Sequence, residues 1–189
     1  MAHKPHKWKI RAVLLVLGAY RVVFPPDHPN VLRVMENLAN TYSALGRYDE
    51  ALVLKEEVLA AFRAVFPPDH PYVLMAIGNL AGTYSNLGRY DEALAPQEEV
   101  LAAYRAVFPP DHPKVLRVMG NLAVTYSDLG RYDEALVLKE EVLAAYRVVF
   151  PPDHPKVLRG MGNLAATYSA LGRHEEAQVL RDEIDRLGL

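Results

Sequence analysis

Residues 37–51 read Asn37-Leu38-Ala39-Asn40-Thr41-Tyr42-Ser43-Ala44-Leu45-Gly46-Arg47-Tyr48-Asp49-Glu50-Ala51, and the same spacing returns at 79–93, 121–135 and 163–177. His28-Pro29, His70-Pro71, His112-Pro113 and His154-Pro155 mark the register, each 42 positions after the last. A fixed period of this size is the mark of a repeat array. Segments 28–69 and 112–153 differ only at Asn30/Lys114, Glu36/Gly120, Asn40/Val124, Ala44/Asp128, Phe62/Tyr146 and Ala64/Val148. The stretch Ala19–Asp27 repeats as Ala145–Asp153, so the chain opens on a half unit.

Working outward from this stretch, each unit reads as two helices. The first runs from about Pro29 to Leu45. Asp27 or His28 caps it, and Pro29 suits a first-turn position whose N–H has no helical partner. Val31, Met35, Leu38, Ala39, Tyr42 and Leu45 form a 3.6-residue stripe. Gly46 ends the helix, because glycine accepts left-handed backbone. The second runs from about Tyr48 to Phe66, with Asp49 and Glu50 at the positive end of its dipole. Its stripe is Tyr48, Ala51, Leu52, Val58, Leu59, Phe62, Val65 and Phe66, and Pro67-Pro68 stops it. No segment alternates with period two, so no sheet is expected. A lone helix pair cannot bury both apolar flanks, whereas stacked units share one core.

The spacing Asn-Leu-Ala…Tyr…Leu-Gly-Arg-Tyr-Asp-Glu-Ala resembles the heart of the tetratricopeptide repeat and covers nearly the whole chain. HEAT and armadillo units have similar length but lack this spacing. The common unit is ~34 residues; the longer second helix and the Phe-Pro-Pro-Asp-His-Pro link look like the 42-residue repeats of kinesin light chains, and like the repeat tails of some nucleotide-binding immune-type receptors. The resemblance implies an all-α, right-handed superhelical α-solenoid of tandem helix-turn-helix repeats. The expected organisation is a tail and half repeat over 1–27, repeats over 28–69, 70–111 and 112–153, and a last repeat over 154–189 with a polar end.

The resemblance also implies a concave groove lined by the first helices. The candidate peptide-binding residues are Arg33, Asn37, Asn40, Asn79, Asn86, Arg117, Asn121, Asp128, Arg159 and Asn163. Positions 33, 36, 37, 40 and 44 share a helical face that avoids the Leu38/Tyr42/Leu45 stripe. The near-copied units differ on this face at 36, 40 and 44, while the exposed pairs Glu56-Glu57, Glu98-Glu99 and Glu140-Glu141 do not change. The contrast suggests that the face meets a partner; the alternative is free drift. A row of carboxamides at Asn37, Asn79, Asn121 and Asn163 can pair with the backbone of an extended peptide, or bond within the array. The arginines would receive an acidic peptide. Glu36 stands where a carboxylate-binding groove of this family would place a base. Gly78, Gly120 and Gly162 leave room for ligand side chains or permit close helix contact.

Other chemistries find little support. The net charge of −2 lacks the basic footprint of nucleic-acid binding. Absence of cysteine excludes disulfides and Cys-ligated metals and suits a reducing compartment; a cytoplasmic location is the expectation. The four repeat histidines are too far apart to share a metal. His3 and His6 offer a weak metal site at best. No cofactor motif and no convergent catalytic group stands out, so neither cofactor nor catalysis is expected. The run Ala12–Ala19 is far short of the ~20 residues that span a bilayer; it follows Lys4, Lys7, Lys9 and Arg11 as a secretory leader would, or it belongs to the half repeat.

At the C-terminal end, Gln178 and Asp185 replace the equivalents Leu136 and Leu143, as a solvent-facing solenoid end requires. At the N-terminal end, Leu14 and Leu15 replace glutamates, and with Trp8 they would lie uncovered. That predicts a fragment of a longer array or a homo-oligomer through the N-terminal helix. The leading function is a non-catalytic docking module for a peptide or partner protein. The alternatives are an architectural, self-assembling module and the ligand-sensing tail of a larger receptor.

Overall fold

The computed structural model describes residues 7–188, with side chains from residue 11 onward. Trp8, His3 and His6, named above, lie outside the described side chains. Among the described residues the chain forms α-helices and no strand. They are α1 (Lys7–Val23), α2 (Pro29–Ala44), α3 (Tyr48–Val65), α4 (Pro71–Asn86), α5 (Tyr90–Val107), α6 (Pro113–Asp128), α7 (Tyr132–Val149), α8 (Pro155–Ala170) and α9 (His174–Leu187). No described helix is long and apolar enough to cross a membrane. The chain divides into two compact units, Met1–Pro96 and Gln97–Leu189, and the division falls inside α5. Pro96 stands there where Leu54 and Leu138 stand in the copies, and it removes one helical N–H.

Each first helix starts at a proline whose missing N–H has no helical partner to lose. The cap is histidine rather than aspartate. The Nδ1 atoms of His28, His70, His112 and His154 accept the amide two residues on at 3.1–3.2 Å. Each ring also stacks on the phenylalanine four residues earlier, at 4.0–4.1 Å between centroids. Gly46 closes α2 at φ 72°, with the Arg47 amide donating to the Tyr42 carbonyl and the Gly46 amide to Ser43.

In the first unit, α1 packs on α2, α2 on α3 and α3 on α4. Val31, Met35, Leu38, Ala51, Val58, Val73 and Ile77 fill the layer between them. In the second unit, α6, α7, α8 and α9 pack in succession. Leu136, Leu143, Val157, Met161, Leu164, Ala165, Ala177 and Leu180 form one cluster there. Ala39, Ala51, Ala123 and Ala135 are fully buried, the small side chains that let paired helices approach. Two details depart from the sequence stripes. Val65 is exposed, on the open lining of the first unit's cavity rather than in the layer between helices. Leu32 and Val34 are buried as well, because a first helix is flanked by second helices on two sides.

Candidate docking groove

Two lysines, Lys55 buried and Lys139 half-buried, organise the floor beneath the first helices. Lys55 of α3 donates to Thr83 Oγ1 at 2.7 Å, to the Asn79 carbonyl at 3.2 Å and to Ser43 Oγ at 3.3 Å. Lys139 of α7 repeats the pattern with Thr167 Oγ1 at 2.7 Å and Ser127 Oγ at 2.8 Å. Each ammonium thus ties its own repeat to the next through neutral oxygens. Burial lowers the pKa of both lysines, with nearby Glu36 acting in the opposite sense on Lys55 and Asp128 on Lys139. Burial also raises the Glu36 pKa, and Lys55 offsets part of that rise. In the last repeat Arg181 takes the lysine position and donates to Ser169 Oγ at 2.7 Å.

On the opposite side, second helices are laced to neighbouring repeats. Tyr84, Tyr126 and Tyr168 donate to Glu56, Glu98 and Glu140 at 3.1, 2.6 and 2.8 Å. Arg21, Arg105 and Arg147 pair with Glu57, Glu141 and Glu183 at 3.4, 2.7 and 3.0 Å. The constancy of these glutamates is therefore structural. Their constancy thus gives no measure of how far exposed positions on the first helices drift freely.

Each unit holds one large cavity on the side of its first helices. In the first unit it measures about 560 Å³, and α2, α3 and α4 wall it with Arg33, Glu36, Phe62, Phe66, Tyr72 and Met75. In the second it measures about 640 Å³, and α6, α7 and α8 wall it with Arg117, Asn121, Tyr146, Phe150, Lys156, Arg159 and Asn163. Four residues singled out from sequence, Arg117, Asn121, Arg159 and Asn163, thus share one cavity. Asn40 and Asn79 flank a smaller space together with Glu36 and Lys55. Asn37, Asn86 and Asp128 are exposed on α2, α4 and α6. Among the described residues, the carboxamides of Asn37, Asn79, Asn121 and Asn163 make no hydrogen bond, although the backbone carbonyls of Asn37, Asn79 and Asn163 do. A Cβ added at Gly78, Gly120 or Gly162 would meet nothing within 4 Å, so these glycines open space rather than admit a close helix. Gly160 is the close one: its Cβ would lie 3.2 Å from Leu143 Cδ1.

Sequence reasoning missed the two lysines, the aromatic walls and Lys156. The lysines sit one turn from charged neighbours and read as solvent-facing. Position 30 of the repeat, occupied by Asn30, Tyr72, Lys114 and Lys156, differs between copies as much as positions 36 and 40 do, and that signal was available. No group of three or more potential metal ligands occurs among the described residues.

Solved structures share this architecture. The nearly identical TPR-like repeats of a Podosopora anserina protein assigned as a kinesin light chain align over 95% of this chain and 85% of that one, at 29% identity and a TM-score of 0.84. BtubC (BKLC) from P. vanneervenii aligns over 83% of this chain and 63% of its own, at 24% identity and a TM-score of 0.74. MamA aligns over 95% and 86%, at 16% identity and a TM-score of 0.65. The latter two likenesses show the fold alone. No curated protein matches the chain in sequence. The family model for the tetratricopeptide repeat matches residues 15–64, 30–106, 72–147 and 114–180, and with the helix pairs and their Asn-Leu-Ala…Leu-Gly…Ala spacing this shows that the chain belongs to the tetratricopeptide-repeat family.

Proposed function

We propose that the side lined by the first helices docks an extended segment of a partner protein, and that the chain performs no chemistry of its own. The carrying observation is the set of unbonded carboxamides, two in each unit, that make up the row read from the sequence. Near them Lys55, Thr83, Ser127, Lys139 and Thr167 are engaged in bonds between or within repeats, whereas Asn37, Asn79, Asn121 and Asn163 keep donors and acceptors for a ligand. A carboxamide pairs with peptide backbone whatever the side chains, so the row supplies affinity and the cavities supply selection. The exposed Arg33, Arg117 and Arg159 favour an acidic segment. A peptide array probed with the intact chain and with Asn79→Ala/Asn121→Ala tests this. Binding is expected to weaken at least about tenfold, the equivalent of losing one or two net hydrogen bonds. A bound peptide indifferent to the pair of substitutions would contradict the row.

One observation favours a second reading, self-assembly through α1. Val16 is 45% exposed, while its equivalents Val58 and Val142 are 1% and 8% exposed. Ala12, Leu15, Val16, Ala19, Val22 and Val23 recur at heptad spacing on the exposed side of α1, the pattern of a helix seam. Light scattering decides it: a dimer that Leu15→Glu dissociates supports self-assembly, and a strict monomer at high concentration removes it.

A further inference from the structure

We propose that the cavity of the second unit is a socket for a phosphorylated side chain of the docked segment; the inference rests on the docking reading above and adds the chemistry of one contact. Two copies of one cavity differ in charge. In the first unit its lining includes Arg33, Asp27 and Glu36, one arginine against two carboxylates. In the second unit the same positions carry Arg117, Asp111 and Gly120, and two further lining positions change from Tyr72 and Met75 to Lys156 and Arg159. Three cations then face one carboxylate.

None of the three joins an ion pair among the described residues, whereas Arg105, Arg131 and Arg147 of the same unit all do. Lys156 rests against a wall, its Nζ 4.7 Å from the Phe150 ring centroid. Like charges gathered in a concave, partly apolar space focus their field on whatever enters. The surplus of two positive charges matches a phosphoryl group, which carries about −1.5 to −2 at neutral pH and offers three acceptor oxygens. One carboxylate would neutralise half of it. Gly120 replaces the larger Glu36 of the other copy and widens the space. Asn121 and Asn163 line the same cavity, so the backbone on either side of the modified residue meets carboxamides. That combination suits a peptide better than a membrane, whose headgroups present no backbone amides.

Three peptide libraries, identical except for phosphoserine, serine or glutamate at the centre, are captured on the intact chain. The phosphoserine pool is expected to be retained at least tenfold over both others. Arg117→Ala/Arg159→Ala should bring it down to the serine pool with an unchanged thermal melt, and Arg186→Ala, exposed on α9 and outside the cavity lining, should leave it as it was. Equal retention of the glutamate and phosphoserine pools overturns the socket, as does a preference that survives Arg117→Ala/Arg159→Ala. Equal retention of the serine and phosphoserine pools overturns the socket and leaves the docking reading standing. Retention of no pool overturns both. Phosphoinositide vesicles bound through Arg117 and Arg159 in preference to every pool would assign the cavity to a lipid and overturn the peptide.

Discussion

Glu56 and Glu57 look like ordinary solvated charge, yet each is bonded to another repeat, through the Tyr84 hydroxyl and the Arg21 guanidinium. The tyrosine partner has a measurable consequence. Burial, reinforced by the hydrogen bond to Glu98, pushes the Tyr126 phenol up to about 12. The folded state therefore holds this proton more tightly than the unfolded chain, whose phenol ionises near pH 10. The stabilisation is complete below pH 10 and is lost as pH rises toward 12. Alkaline denaturation should show this slope, and Tyr126→Phe should flatten it. Lys55 acts in the same way, by joining repeats. Lys55→Ala removes the ammonium bonds to the buried Thr83 hydroxyl and to the Asn79 carbonyl and leaves these two only their bond to each other, so urea unfolding should show a loss of about 2 kcal/mol, the range for bonds to a charged group. At the cap, His112→Ala should cost about 1 kcal/mol while His112→Asn, which still accepts the amide, keeps most of it. The histidine cap was legible because His-Pro stands at the junction of two periodic segments. The lysine was not, because a single cation on a helix face reads as surface until the neighbouring repeat is placed over it.

Helix starts and stops were written in short-range chemistry. Proline opens α2, α4, α6 and α8, and glycine at positive φ follows each of them. The stripes identified the core layer but not which of their members the neighbours leave open, as at Val65, which lines the first unit's cavity. Which helical glycines admit close contact also depends on the neighbour and was not readable. The two kinds separate by substitution. Gly120→Ala meets open space and gains helix propensity, so it should stabilise the chain by up to about 1 kcal/mol while narrowing the cavity. Gly160→Ala must displace Leu143 Cδ1 from 3.2 Å, which offsets most of that gain. Thermal melts of the two variants, compared with the parent chain, check the difference.

At the scale of the whole molecule, the 42-residue period was sufficient to establish an all-α repeat array, since near-copied helix pairs have one economical way to bury both flanks. The candidate site was legible only as a face. Which of its residues share a cavity depends on how adjacent first helices are spaced, and the charge difference between the two cavities emerged from that spacing. The central claim is that partners meet the first helices and not the second. Val124 on α6 and Val137 on α7 are almost equally exposed, at 51% and 54%, and so compare the two sides fairly. A photo-crosslinking amino acid placed at one or the other, with the partner selected from the peptide array, measures where it lies. The account predicts crosslinks from position 124 several-fold above those from position 137; equal yields, or a greater yield from 137, would contradict it.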